Sequence, residues 1–448
     1  MNAAMDSGEP ADREDASGDD RVAGVIGMEA TRDDVVSWRR RMNEGPFRRG
    51  GDAGRNSPPQ GAEVVNSSRA ALGLVRSPRD WRGVSASGCV TIDRDAIGTA
   101  PDADLRKAKT LADTAFVALA VGDDTMMRRV AGHLTAQADY ADLRFGDRAR
   151  WCLGRPNVGG HDGLGHTLGA LGGFWAVALD WVGTHERLTG TNLMSGQERS
   201  RVSAWLAALG EWLRSRNDSL LDECFRGRRA GDYTVTARGG TTPGYSRPLY
   251  GGGPTPRLVS VRYSNKFTMR ARAYGLIGVV ADRPDLADAS RRFFQEFLRY
   301  AFFPGGAVSD QHRGGSQGWK YSATQVGCAT HVAYALHRQG DDRLKDYATT
   351  DGAFGSEGSH FTGGPKTLRK CVEDLCRYIP GVPGGFGRGI SPGNRVEDVG
   401  MAAALRMWPD SDIIRAGLTR RAAGWPAQPA QGKHGDRGLH TASLLMYS

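Results

Sequence analysis

From about residue 101 the chain repeats one pattern, a nearly apolar helix followed by an amphipathic one. The stretch LRKAKTLADTAFVALAVGDDTMMRRVAGHLTAQADY predicts two helices parted by Gly122-Asp123-Asp124. Leu111, Ala115, Val117 and Leu119 make one stripe; Met127, Val130, Ala131 and Leu134 make another. LGHTLGALGGFWAVALDWVG is apolar almost throughout, and SGQERSRVSAWLAALGEWLRSR after it is amphipathic, with Ser195 in the cap position. SNKFTMRARAYGLIGVVAD and LADASRRFFQEFLRYAFF form a third pair, YSATQVGCATHVAYALHRQG opens a fourth, and EDVGMAAALRMWPD adds a late helix. A helix that is apolar all round must be enclosed, whereas one with a single apolar stripe faces solvent. The alternation therefore predicts an all-α chain, an incomplete (α/α) toroid of helical hairpins with an inner and an outer layer. The repeats are not alike in sequence, so the inference concerns architecture; an irregular bundle of helix pairs is the alternative.

Two kinds of segment stand outside this pattern. Residues 1–20 are acidic and residues 43–62 are rich in Gly, Pro and Arg, so 1–62 reads as a flexible N-terminal arm and 63–448 as the toroid domain. The arm holds one short helix, RDDVVSWRRRM, whose Val35, Val36 and Trp38 are suited to anchor it to the body or to dock it on a larger assembly. Residues 226–264 and 351–396 interrupt the helices with glycine, arginine and aromatic residues, as loops that touch a ligand do.

The net charge is +9, and because the acidic residues gather near the N-terminus the remainder is more basic still. Such a field draws polyanions. No nucleic-acid-binding motif accompanies it, so nucleic acid is the weakest partner class, and an Arg-rich composition without any partner is the plain alternative. The six cysteines include no pair of CxxC units and read as free thiols; Cys371 and Cys376, five apart on a helix, are not expected to share a face. No stretch approaches a membrane span, and the first residues lack the basic start and apolar run of a secretory signal. Synthesis in the cytoplasm is therefore expected, with any extracellular action reached by lysis, by a specialised route or within a virion. His161 and His166 are not spaced for a metal on one helical face, and neither metal nor cofactor is expected.

The residues that carry chemistry lie in SNKF at 264–267 and AVSDQHRGGSQGWKYS at 307–322. This spacing places Asn265, His312, Arg313 and Tyr321 at loop–helix junctions on one end of a toroid. Over residues 101–340 the chain resembles the alginate-lyase family, in which an Asn-His pair opens one helix, an Arg follows in a loop and a Tyr opens the next helix. The resemblance implies a polysaccharide lyase that cleaves a uronate-containing acidic polysaccharide, alginate or a capsule or exopolysaccharide, by β-elimination. Asn265 would neutralise the uronate carboxylate and stabilise the enolate-like charge that develops. Tyr321 would take the C5 proton and return one to O4, and Arg313, Lys320 and Lys266 are the cations near that phenol. Lys266 stands where the family has His, which points to Tyr321 for both proton transfers; His312 is the other imidazole within reach. Lys266, Lys320, Trp319, His166, Arg262 and Tyr263 are the candidate substrate-binding residues.

Each residue also has a plainer reading. Asn265 suits a helix N-cap, Arg313 and His312 suit a solvated loop, and Trp319 suits core packing as well as a sugar ring. A glycoside hydrolase on the same architecture would need two facing carboxylates, and Asp310, Glu296 and Glu357 form no recognisable pair. A non-catalytic, particle-associated polysaccharide-binding protein is the third possibility.

Overall fold

The computed structural model describes residues 27–28, 30–43, 82–84, 90–92, 103–139, 163–225, 263–302, 308, 315–350, 365–385 and 400–423. Among these are eleven helices: α1 (Arg32–Asn43), α2 (Ala103–Val121), α3 (Asp124–Asp139), α4 (Gly163–Thr189), α5 (Gly196–Phe225), α6 (Asn265–Val280), α7 (Pro284–Tyr300), α8 (Gly315–Arg338), α9 (Leu368–Arg377), α10 (Met401–Met407) and α11 (Asp412–Ala423). Among the described residues the named strands form two antiparallel pairs, β1 (Arg82–Val84) with β2 (Val90–Ile92) and β3 (Ala348–Thr349) with β4 (Lys366–Thr367). Among the described residues no helix is long and apolar enough to cross a membrane.

The expected all-α toroid is what forms. Helices α2, α4, α6 and α8 make the inner layer, each packed on the next, while α3, α5 and α7 lie outside. The inner helices run parallel, since contacts advance together along them: Gly169 meets Arg270 and Gly172 meets Ala273 between α4 and α6. Between α6 and α8, Arg272 meets His331 and Gly275 meets Val332. Outer helices run the opposite way. Trp175 of α4 stacks on Trp205 of α5 at 4.8 Å, Asn217 of α5 donates to the Phe267 carbonyl, and Ser290 of α7 donates to the Ala271 carbonyl at 2.7 Å.

Helix α6 is the hub, buried along nearly its whole length and touching α4, α5, α7 and α8. Such enclosure needs small residues at the crossings. A Cβ on Gly169 would lie 3.1 Å from the Arg270 Cα, and one on Gly278 would run into the Ala287 backbone. Ser195 caps α5 as expected, through a reciprocal arrangement in which the Glu198 amide donates to its hydroxyl and its own amide donates to the Glu198 carboxylate.

Two expectations are corrected. The stretch 351–396 is not loop throughout: Leu368, Cys371, Val372, Leu375 and Cys376 follow the spacing of one helical face, and all are buried in α9. Cys371 and Cys376 thus share the buried face at its two edges, and with Cys328 they are free thiols. Helix α8 begins at Gly315, so Tyr321 lies in its second turn instead of at its start.

Residues 27–43 lie across the end of the ring where the inner helices finish. Trp38 packs 5.0 Å from Phe116 of α2 and 6.1 Å from Trp181 of α4. Val35 is buried beside it, whereas Val36 is 59% exposed. The Met28 amide donates to Asp180 of α4 at 2.9 Å, Arg39 to the Leu119 carbonyl of α2, and Arg338 of α8 to the Ala30 carbonyl. Asp34 accepts from both terminal nitrogens of Arg406 on α10, each at 2.6 Å, and one of them also donates to the Tyr334 hydroxyl at 3.0 Å. Burial raises the Asp34 carboxyl, but Arg406 and Thr31 outweigh it and hold the group below the usual carboxylate range. Burial likewise pushes the Tyr334 phenol up, against the pull of Arg406. Residues 30–43 of the expected arm are therefore built into the toroid, joining its first helices to its last.

Candidate active site

The two ends of the ring are connected differently. Where the first three inner helices finish, the links are short: Gly122-Asp123 between α2 and α3, residues 190–195 between α4 and α5, and residues 281–283 between α6 and α7. Where they begin, residues 140–162, 226–264 and 301–314 lead into α4, α6 and α8. Long connections on a rigid scaffold are where binding groups concentrate. Three parallel helices also present their N-termini at this end, where the helix dipole favours anions.

Asn265 is the first residue of α6 and is 4% exposed. It is not the cap. Ser264, in extended conformation, holds that position, and no side-chain hydrogen bond caps the helix. The Gln325 amide of α8 donates to the Tyr263 carbonyl at 2.6 Å, which fixes the first turn of α6 against α8 one turn after Tyr321. Asn265 and Tyr321 therefore stand on neighbouring parallel helices at the same end of the ring. Tyr321, Lys320 and Lys266 are half-buried there. His166 lies in the first turn of α4, at the same end.

Other expected members of the site are not brought to it. Trp319 is fully buried, its indole N–H without a partner among the described residues, and has no face left for a sugar. Tyr263 is a core residue as well: its ring packs on Phe293 and Phe297, and its hydroxyl donates to Glu296 at 3.5 Å. An aromatic beside a lysine suits either a sugar or the core, and the turn of the helix decided for the core. His312, Arg313 and Arg262, together with His161, Asp310 and Glu357, lie outside the described residues. Among the described residues no cluster of three or more His, Cys, Asp or Glu side chains is placed to hold a metal.

Beneath Asn265, on the same face of α6, lies a pair that sequence reasoning missed. Arg272 is 5% exposed and His331 of α8 is 3% exposed. The guanidinium Nε donates to His331 Nδ1 at 2.9 Å, and its carbon sits 5.7 Å from the centre of the Phe174 ring. The signal was available: an arginine two helical turns after Asn265, inside a helix with no polar face.

No family model and no curated protein sequence matches the chain. Its fold is similar to that of a solved alginate lyase. The solved alginate lyase from Bacteroides ovatus superposes with a TM-score of 0.53, covering 95% of this chain and 98% of that one at 12% identity. At that identity the likeness is one of architecture, and it agrees with the inner and outer layers described above.

Proposed function

We propose that the chain is a polysaccharide lyase that cleaves a uronate-containing acidic polysaccharide, alginate or a capsule or exopolysaccharide, by β-elimination. The observation that carries this reading is the placement of Asn265 and Tyr321 on adjacent parallel inner helices, at the end where three helix N-termini and Lys266 and Lys320 gather. The fold shared with an alginate lyase supports it at the level of architecture.

In this reading the Asn265 amide donates to the uronate carboxylate and stabilises the charge that spreads onto it as the C5 proton leaves. The Tyr321 oxygen takes that proton. The C4–C5 double bond forms as the C4–O bond breaks, and a phenol proton goes to the departing O4. Lys266 and Lys320 hold the polymer by its carboxylates, and His166, Arg262, His312 and Arg313 belong to segments that lead into the same end. Trp319 and Tyr263, being core residues, take no part.

The test is ultraviolet absorbance of the conjugated double bond during incubation with a panel of acidic polysaccharides, read beside polymer length. Absorbance that rises with the parent and not with Tyr321→Phe is the expected outcome. Shortening without absorbance would replace the lyase with a hydrolase, and binding without shortening would make the chain a polysaccharide-binding module.

A further inference from the structure

The pair beneath Asn265 has an unusual charge balance. Arg272 is a guanidinium enclosed in the ring, and its neighbours are a neutral acceptor, His331 Nδ1, and the face of Phe174. Among the described residues no carboxylate pairs with it. Burying a cation without an anion is costly, and a link between α6 and α8 does not require one, since a neutral amide would also donate to His331. The partner to be sought is an anion that comes and goes. Arg270, two residues earlier, serves the other side of the hub by donating to Asn217 of α5, so the two arginines are not duplicates.

Asn265 and Arg272 are seven residues apart on one helix, which places them on the same face about 10 Å apart along its axis. Over about 10 Å, at the effective dielectric of roughly 20 found inside proteins, a unit charge changes an equilibrium about tenfold. A charge buried as Arg272 is, at 5% exposure, is screened little by salt.

We infer that Arg272, oriented by His331, is a positioning residue whose buried charge stabilises the anion bound at Asn265, acting through space and not by contact. This rests on the lyase reading for the identity of that anion, a uronate carboxylate whose charge grows on removal of the C5 proton. It assigns the chain a preference for acidic over neutral sugar that comes from inside the ring as well as from the lysines at its end.

The experiment compares the full chain with Arg272→Met and Arg272→Lys. Each is titrated calorimetrically with a uronate oligosaccharide and with the same oligosaccharide after carboxyl reduction, and each is assayed for unsaturated product. The Met variant should lose about tenfold in affinity for the acidic sugar and little for the reduced one, with kcat falling further than KM rises. The Lys variant should keep most of both, and His331→Asn, which leaves an acceptor at the Nδ1 place, should behave as the parent. Where the Met variant does not fold, Arg272→Gln removes the charge and still donates to His331, with the same loss expected. A folded, uncharged variant that keeps the acidic preference overturns the inference, as does a Lys variant that falls as far as Met. If the acidic preference depends on Arg272 while no unsaturated product forms, the lyase reading fails and the counter-charge stands. If product forms and the preference is unchanged, the reverse holds.

Discussion

The two ends of this ring solve opposite problems with the same helices. Where the inner helices finish, the first three links are short, Trp38, Phe116 and Trp181 pack together, and the Asp34 carboxylate is matched by Arg406. Where they begin, the connections into α4, α6 and α8 are long, and Asn265, Lys266, Lys320 and Tyr321 stand in the opening turns of two neighbouring helices. One end is given over to contacts that hold the ring together, and the other carries the candidate site. A scaffold closed at one end lets the other hold groups in arrangements that do not stabilise the fold.

If that division is right, changes at the two ends should separate activity from stability. The largest effect expected is from Tyr321→Phe, which removes the proton carrier and should lower kcat by about 10²–10⁴ with the unfolding midpoint unchanged; a variant that keeps its rate would break the comparison at its first point. Trp38→Ala, at the closed end, should cost about 3–5 kcal/mol in chemical denaturation, while the folded fraction keeps the parental turnover. Asn265→Ala should lower kcat by about 10²–10³, again with the unfolding midpoint little changed.

The smallest effect sharpens the comparison through pH. The folded Asp34 carboxyl lies below its ordinary value because Arg406 and Thr31 outweigh the burial that would raise it. Its contribution is therefore fully present above the unfolded value of about 4 and is lost as pH falls through the folded value. Hydrogen exchange of residues 27–43 should speed up across that acid window. Asp34→Asn should abolish the step and cost about 1–3 kcal/mol at neutral pH, with exchange at the start of α6 unaffected.

Much of the architecture was legible because layering leaves a direct trace. Helix α4 is apolar on nearly all faces and α5 carries a single stripe, so inside and outside could be read before any contact was known. Helix α9 was obscured by the glycine-rich sequence around it, although Leu368, Cys371, Val372 and Leu375 carry the helical period. The start of α8 was misplaced for a related reason: Gly315 and Gly318 are poor helix formers, and packing against the ring overrode their propensity. For the site, sequence supplied residue types and spacing but not facing. Trp319 and Tyr321 are two residues apart on one helix, and about 200° of rotation separates a core indole from a half-buried phenol. Arg272 escaped notice because sequence does not show that a charge will be enclosed.

Asp34 and Arg406 are 372 positions apart. As the chain leaves the ribosome, α1 is among the first helices made, and it can lay Trp38 on α2 and α4 once residues through Trp181 have emerged. Its ion pair must wait for nearly the whole chain. A product cut short before α10 would carry the aromatic dock without its electrostatic latch, so engagement of Asp34 waits for α10, and an early helix is among the last to be secured.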